Sequence, residues 1–458
     1  MGYANVRRIT KLHIASLFCA ICVSPVSCSN ESNRGNISPE ILAEVNRIRA
    51  IDNHAHPVRF VSAGEPDREF DALPVDNMEP ASDPLQLRPD DGAVLEAWRT
   101  LWNYPYNDTT QMHIHEWNDQ RKQGVARQKG DDYPAWILDS IGVDLMLANR
   151  VHMGRSVQPP RFRWVPYVDA LMFPLDNSQL AQQNSDRKAF FADEDQVRAQ
   201  FLKEAGFDAP PRSLDEYLRS VITAALERHK LGGAVAEKFE IAYLRSFGFD
   251  NIDRAAADKV YSSYVGKMPP SAAEYKTLQD FLFRYIALEC GRLGMAVHLH
   301  TAAGAGSYFD VNGVNPLLLE PLFNDPDLRK TKFVMVHGGW PFTREITALL
   351  NKPNVYLDYS MQSLLLPPST LAHTLREWLE WVPEKVLFGT DAYPYSEALG
   401  WEESAWIAAK RGREALAIAL TQMMRDGEIS RDRAFVLARM VLRDNAQNLY
   451  GFRYSPPQ

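Results

Sequence analysis

Eight short apolar runs, most of them followed by a helical pattern, leave this chain few ways to fold. The runs cover residues 51–54, 142–149, 164–170, 233–239, 295–301, 332–337, 355–360 and 386–390. Helical patterns at 213–230, 272–293, 342–350 and 368–381 lie between them. Strands that are apolar along their whole length are buried on both faces, as in a parallel sheet covered by helices. Eight such units predict a closed (β/α)8 barrel, a TIM barrel of the α/β class, more than an open doubly wound sheet. Residues 58–132 interrupt the pattern after the first strand. They lack periodicity, are rich in Pro, Asp, Asn and Trp, and are too long for a simple connection. They predict a partly helical insertion that covers a site. Residues 401–452 add two or three helices expected to cap the barrel.

The barrel pattern begins near residue 49. Before it, Arg7, Arg8 and Lys11 precede an apolar run at 14–23, which is too short to span a bilayer stably. That arrangement predicts a signal peptide over residues 1–28. Pro25-Val26-Ser27-Cys28 resembles a bacterial lipoprotein box with Pro25 where Leu is usual. Two outcomes stand: plain cleavage, or a lipid anchor on Cys28. Residues 29–48 predict a polar linker and a short helix starting at Pro39, and residues 49–455 the barrel. Three of the four cysteines, Cys19, Cys22 and Cys28, lie in the leader. Only Cys290 remains in the body, so no intramolecular disulfide is expected there.

The expected location is periplasmic or extracellular. The chain has 50 Lys+Arg against 58 Asp+Glu, a net charge of −8. Cleavage removes three positive charges and no negative ones, leaving about −11. Without a basic stripe a nucleic acid is not an expected partner. A small-molecule substrate is, with membrane contact only through the leader or a lipid; a homo-oligomer is compatible.

In a barrel the site lies at the C-terminal ends of the strands. The first run ends in His54-Ala55-His56, the fourth near Lys238, the fifth in His298-Leu299-His300, the sixth at His337 and the eighth in Gly389-Thr390-Asp391. Alternate strand residues face the same way, so His54 and His56 can address one point. Neutral imidazoles and a carboxylate at a barrel mouth suit a divalent transition ion, zinc before others. A lone strand-end histidine is more often an ordinary hydrogen-bonding residue. The coincidence of several strand ends is what favours a metal. His113, His115, His152, His229 and His373 fall outside this pattern and are expected to be structural or solvated.

These residues carry a family likeness. Asp52-Asn53-His54-Ala55-His56-Pro57, His300-Thr301-Ala302, His337-Gly338-Gly339-Trp340-Pro341-Phe342 and Gly389-Thr390-Asp391-Ala392 resemble the amidohydrolase superfamily, in its amidohydrolase-2 branch. The likeness runs from about residue 45 to the stretch from Arg443 to Tyr450. Asn315-Pro316-Leu317-Leu318-Leu319 resembles the nodulin-type domain that is sometimes fused to glutamine synthetase. The resemblance implies a hydrolase with His54, His56, His300 and Asp391 as metal ligands. His337 becomes a further ligand or a polariser of the scissile carbonyl, depending on whether one or two metals bind. Asp391 accepts the proton of the attacking water. Lys238 is either carboxylated, bridging two metals, or an ammonium that meets a substrate carboxylate. His298 stands where related chains often have Gln, and contacts substrate or supports the ligands. Tyr243, Arg245 and Trp340 are candidate substrate contacts, and Asp52 a candidate partner for the imidazoles.

The expected reaction is hydrolysis of an amide or ester-like bond in a small, carboxylate-bearing substrate. The rival reading is a metal-dependent non-oxidative decarboxylase or C–C bond-cleaving enzyme, which needs one metal and no strand-four lysine. A binding protein without turnover would have lost Asp391 or the His pair, and both are present.

Overall fold

All eight expected strands are present in the computed structural model, which describes residues 37–451 except 62–66, 68, 74–83, 184, 303 and 305–307. The leader and the Cys28 box lie outside the described residues. The strands are β1 (Ala50–Ala55), β2 (Val143–Asn149), β3 (Phe162–Val165), β4 (Ala236–Phe239), β5 (Ala296–His300), β6 (Phe333–Val336), β7 (Val355–Asp358) and β8 (Val386–Leu387). Each pairs in parallel with its neighbour within β1-β2-β3 and within β4-β5-β6-β7-β8.

Both seams between these sets are bridged. Trp164 pairs with Ala234 and Tyr167 with Lys238 across the first. Pro166 lies in this seam, and its missing N–H interrupts the ladder and ends β3 at Val165, earlier than the apolar run suggested. At the other seam Asn53 N donates to Phe388 O at 2.9 Å, Asp391 N to His54 O at 2.8 Å and His56 N to Ala392 O at 2.8 Å. The strands therefore close into the barrel. β8 is short because the next donor, Phe388 N, turns to Val441 O in the C-terminal segment.

Inside the barrel Ile51, Leu145, Leu147, Val165, Ala236, Ala296, Val334, Val336 and Leu387 pack together. Ala446 and Leu449 of the last helix, Asn445–Tyr450, close its N-terminal end. The lower barrel is thus a packed core and not a pore, and chemistry is confined to the opposite end.

The covering helices follow local rules. Ala272–Leu293 starts at a Ser271/Glu274 capping box and ends at Gly294 in the left-handed region, the bounds its sequence pattern predicted. Tyr275, Leu278, Leu282, Phe283, Ile286, Ala287 and Cys290 form its buried face at helical spacing. Leu282→Ala there would cost about 2–5 kcal/mol. Ser185–Glu204 was not foreseen, because charged residues interrupt its apolar face.

The insertion after β1 is partly helical, with Gly92–Trp102, Gln111–Trp117 and Gln123–Lys129. It is fastened to the long helix Trp401–Arg425. Lys122 pairs with Glu403 at 2.8 Å and Glu402 at 3.0 Å, and Trp102 Nε1 donates to Glu403. The helix Pro39–Arg47 also packs on Trp401–Arg425. No described helix is long and apolar enough to cross a membrane.

Candidate metal centre

A bulge in β1 aims the histidine pair. Between Asp52 and Ala55 the register advances three residues on β1 for two on β2. Strict alternation from Ile51, which faces the barrel core, would point His54 and His56 outward. The extra residue turns them in. Asp52 stabilises this turn, not the imidazoles. Its carboxylate accepts from His54 N at 3.2 Å, Thr390 N at 3.0 Å and Thr390 Oγ1. Burial pushes its pKa up to about 7.

The chain's first and last strand ends meet. Asp391 Oδ1 lies 3.1 Å from His54 Nε2 and 3.5 Å from His56 Nε2, and the two Nε2 atoms are 3.3 Å apart. One ligand atom from each of these buried residues lies within 4.8 Å of the others. Lys238 Nζ is 3.4 Å from His54 Nε2, and Asp391 Oδ2 faces His337 Nδ1 at 3.9 Å. His300 joins through His337, with Nδ1 at 3.1 Å from His337 Nε2. Asp391 and His337 both hold positive φ, 57° and 70°, conformations kept only where surroundings impose them. After His337 the chain needs Gly338, at φ 57°, because a Cβ there would come within 2.5 Å of the Trp378 ring.

The hydrogen bonds determine which nitrogens are bare. Ser360 Oγ donates to Asp358 Oδ1, so its lone pair accepts the proton of His337 Nδ1 at 2.9 Å. His337 Nε2 then accepts from His300 Nδ1, which leaves His300 Nε2 buried and without a partner among the described residues. A neutral His337 so placed has its proton on Ser360 and its lone pair on His300, so it orients His300 and has no N–H left to polarise a carbonyl. The Asn149 amide nitrogen lies 2.8 Å from His54 Nδ1, and Oδ1 has no partner among the described residues. The same amide nitrogen donates to Ala55 O at 3.2 Å, so Asn149 ties the end of β2 to β1 beside the His54 ring.

Electrostatics agree with a cation site. Burial, with Lys238, holds His54 well below its ordinary pKa. Burial and His337 do the same for His300, and burial brings His337 down to about 3. Neutral imidazole is the form that binds a metal. Burial alone would raise Asp391, but His337, His54 and His56 outweigh it and hold the carboxyl well below its usual range. Burial likewise lowers His56, and Asp71 and Asp391 outweigh it, so His56 is raised. A buried donor set of two imidazoles and one carboxylate, beside an orphaned His300 Nε2, fits a divalent ion of the zinc type.

The other expected site residues divide. Tyr243 OH is 3.2 Å from His300 Nδ1 and touches the centre. Arg245 does not: its guanidinium pairs with Asp280 at 2.7 Å and donates to Gln279, Ser246 O and Gly248 O. It is therefore spent on the fold, not on substrate. His298 lies one layer down the barrel, with Nε2 2.7 Å from Tyr450 OH, so it supports the interior. Burial and Lys238 hold its pKa at about 3. Trp340 is half-buried, and its backbone N–H donates to His337 O at 3.3 Å. His113 stacks on Tyr106, His115 meets Glu397, His152 meets Gln200, His229 meets Glu237 and His373 meets Ser369 O.

Sequence reasoning missed Asn149, Asp358, Ser360, Tyr167 and Asp71. The first three end apolar runs, the same signal that found the histidines. Tyr167, whose OH is 3.0 Å from His56 Nδ1, and Asp71, 3.7 Å from it, come from irregular segments with no such signal.

The profile of the amidohydrolase family matches residues 111–452 of the chain. Among curated proteins, Protein fluG of Emericella nidulans is 27% identical over 237 residues, 49% of this chain. The match spans 26% of that protein's length. Among solved structures, one described as a metal-dependent hydrolase from Lactobacillus casei superposes with a TM-score of 0.60 at 16% identity, covering 90% of this chain and 97% of the other. Glucuronate isomerase from Caulobacter crescentus gives 0.60 at 13% identity over 93% and 96%. Uronate isomerase from Thermotoga maritima gives 0.56 at 13% over 91% and 99%. At these identities the structures share the fold alone.

Proposed function

Because the chain belongs to the amidohydrolase superfamily, in its amidohydrolase-2 branch, we propose that it hydrolyses an amide or ester-like bond of a small molecule, with a zinc-type cation held by His54, His56 and Asp391. The observation that carries this reading is the convergence of Asp391 Oδ1 on both Nε2 atoms, at 3.1 and 3.5 Å, from strand ends more than 330 residues apart. A bound divalent ion lowers the pKa of water from about 15.7 to about 7 and polarises a carbonyl. Asp391, with Oδ2 turned to His337, is placed to take the proton of an attacking water and return it to the leaving group. His300 offers its bare Nε2, and His337 orients that ring by accepting from its Nδ1–H.

We read Lys238 as an ammonium. It is fully buried, and the buried carboxyls of Asp71, Asp169 and Glu240 all interact with its charge. Carboxylation would remove the cation that these acids face and set an anion beside them. One metal per chain follows. With Arg245 on Asp280 and Lys238 facing acids, the substrate carboxylate expected from the sequence loses its support. A single metal with no bridging lysine is also what the decarboxylase or C–C cleavage reading needs, so that reading stays as the second.

A screen of metal-loaded protein on N-acyl amino acids, γ-glutamyl amides, lactones and aromatic carboxylates tests the choice. Hydrolysis that disappears in His54→Ala and Asp391→Ala supports the first reading. Release of CO2 with no hydrolysis supports the second. We further propose export with processing of residues 1–28, supported by Arg7, Arg8, Lys11 and the apolar run after them. The mass of the mature N-terminus distinguishes plain cleavage from a lipid on Cys28.

A further inference from the structure

A cavity of about 330 Å³ lies outside the barrel wall, between β3 and the helices Ser185–Glu204 and Ala224–Leu231. Strand alternation builds its inner side. Val165 packs in the barrel core, so its neighbour Trp164 points outward into the cavity wall. Ala236 also packs in the core, and the next residue, Glu237, turns outward to meet His229. Val197 and Phe201, four residues apart on one helix face, supply the opposite wall. Tyr167 is the wall toward the metal centre, with its OH 3.0 Å from His56 Nδ1. None of His54, His56 and Asp391 lines the cavity, so it stands beside the reaction centre and not within it.

The charges around this space are already paired. Arg228 meets Glu204 at 3.1 Å on the exposed side, and His229 Nδ1 lies 3.1 Å from both oxygens of the buried Glu237. Gln200 donates to Glu204 and meets His152. A charged occupant would give up its water without gaining a counter-charge, so the cavity suits a neutral molecule. Its walls favour a ring. The His229 centroid lies 4.9 Å from that of Trp164 and 5.8 Å from that of Phe201, the spacing at which aromatic groups attract.

His229 also supplies a polar contact. With Nδ1 on Glu237, Nε2 is the nitrogen left for an occupant, and it has no hydrogen-bond partner among the described residues. A hydroxyl can meet that nitrogen whether or not it carries the proton, because a hydroxyl both donates and accepts. An apolar cavity of about 150 Å³ already admits benzene, and pockets for small ligands begin at about 300 Å³. We propose that this cavity is a second ligand site, for a neutral aromatic molecule that carries a hydroxyl, with its ring against Trp164 and Phe201 and its hydroxyl on His229 Nε2. The site goes beyond the hydrolase reading and does not depend on it.

Calorimetry on the metal-loaded full chain tests this with p-cresol, toluene and 4-methylcyclohexanol, which separate the hydroxyl from the ring. p-Cresol is expected to bind about tenfold more tightly than either of the others. The ring-nitrogen chemical shifts of His229 should move as p-cresol is added, which places the ligand without any substitution. Val197→Trp fills the space from a half-buried helix position and should abolish p-cresol binding while metal content stays at the wild-type value. His229→Gln keeps a donor for Glu237 and should lower the preference for p-cresol over toluene. No binding of p-cresol, equal binding of the three probes, unmoved His229 shifts, or undiminished binding in Val197→Trp overturns the proposal.

Discussion

Thr390 donates to Asp52 twice, from its backbone N–H at 3.0 Å and from its hydroxyl, and so ties the end of β8 to the bulge of β1. Asp391 is the next residue, and its own N–H donates to His54 O at 2.8 Å. The clamp sets the distance between the carboxylate and the imidazoles. Thr390→Val keeps the shape and removes the hydroxyl. The expected result is a loss of about 1–3 kcal/mol in stability, from an Asp52 oxygen left short of a donor. Metal affinity should fall by about 10–100-fold, as for other supports of metal ligands. Denaturant titration and chelator competition measure the two effects.

Ser360 sets the tautomer of His337 by standing between its Nδ1 and Asp358. Ser360→Ala should let the imidazole proton move to Nε2, which removes the lone pair that faces His300. Metal affinity is expected to drop about 10–100-fold, with a stability loss of about 1–3 kcal/mol from the Asp358 oxygen left short of a donor. Ser360→Thr should restore most of it. Nitrogen chemical shifts of His337 report the tautomer directly, and an unchanged Nδ1–H in the alanine variant would count against this assignment.

Asp169 gives a pH signature. Burial raises its folded pKa from 3.8 to about 7. Between those values the unfolded chain has released the proton and the folded chain keeps it. Folded protein then binds more protons, so stability falls as pH rises through that window and levels off above about 7. Asp169→Asn removes this titration. The stability of wild type minus variant should therefore decrease from pH 5 to pH 8, read as denaturant midpoints at each pH. A difference that grows with pH would mean that the carboxyl is held ionised.

Histidines outside the centre act as controls. His113 is stacked on Tyr106 and His373 is bonded to Ser369 O at the surface. His113→Ala and His373→Ala should leave turnover within about twofold of wild type, since surface changes of this kind cost under about 0.5 kcal/mol. His54→Ala should abolish it. Initial rates on any substrate found in the screen decide this.

Much of this arrangement was readable along the chain, for physical reasons. Buried parallel strands must be apolar throughout, so their runs stand out, and a polar residue that ends such a run marks the barrel mouth. That rule found His54, His56, His300, His337 and Asp391. Applied to carboxamides and hydroxyls as well, it would have found Asn149, Asp358 and Ser360. The helical patterns placed Ala272–Leu293 and Pro368–Trp381 at their observed bounds. Three features were out of reach. The β1 bulge depends on the pairing register with β2, which no single strand encodes. Arg245 is spent on Asp280, a pairing made only by the fold. Asp71 and Tyr167 reach His56 from irregular segments whose paths follow from tertiary contacts.

The account stands on a cation shared by His54, His56 and Asp391, and elemental analysis of the purified chain tests it most directly. Metal-replete wild-type protein is predicted to hold one divalent ion per chain. His54→Ala and Asp391→Ala should retain almost none, and His113→Ala a full complement. A wild-type chain that holds no divalent ion, or full occupancy in both His54→Ala and Asp391→Ala, would contradict it.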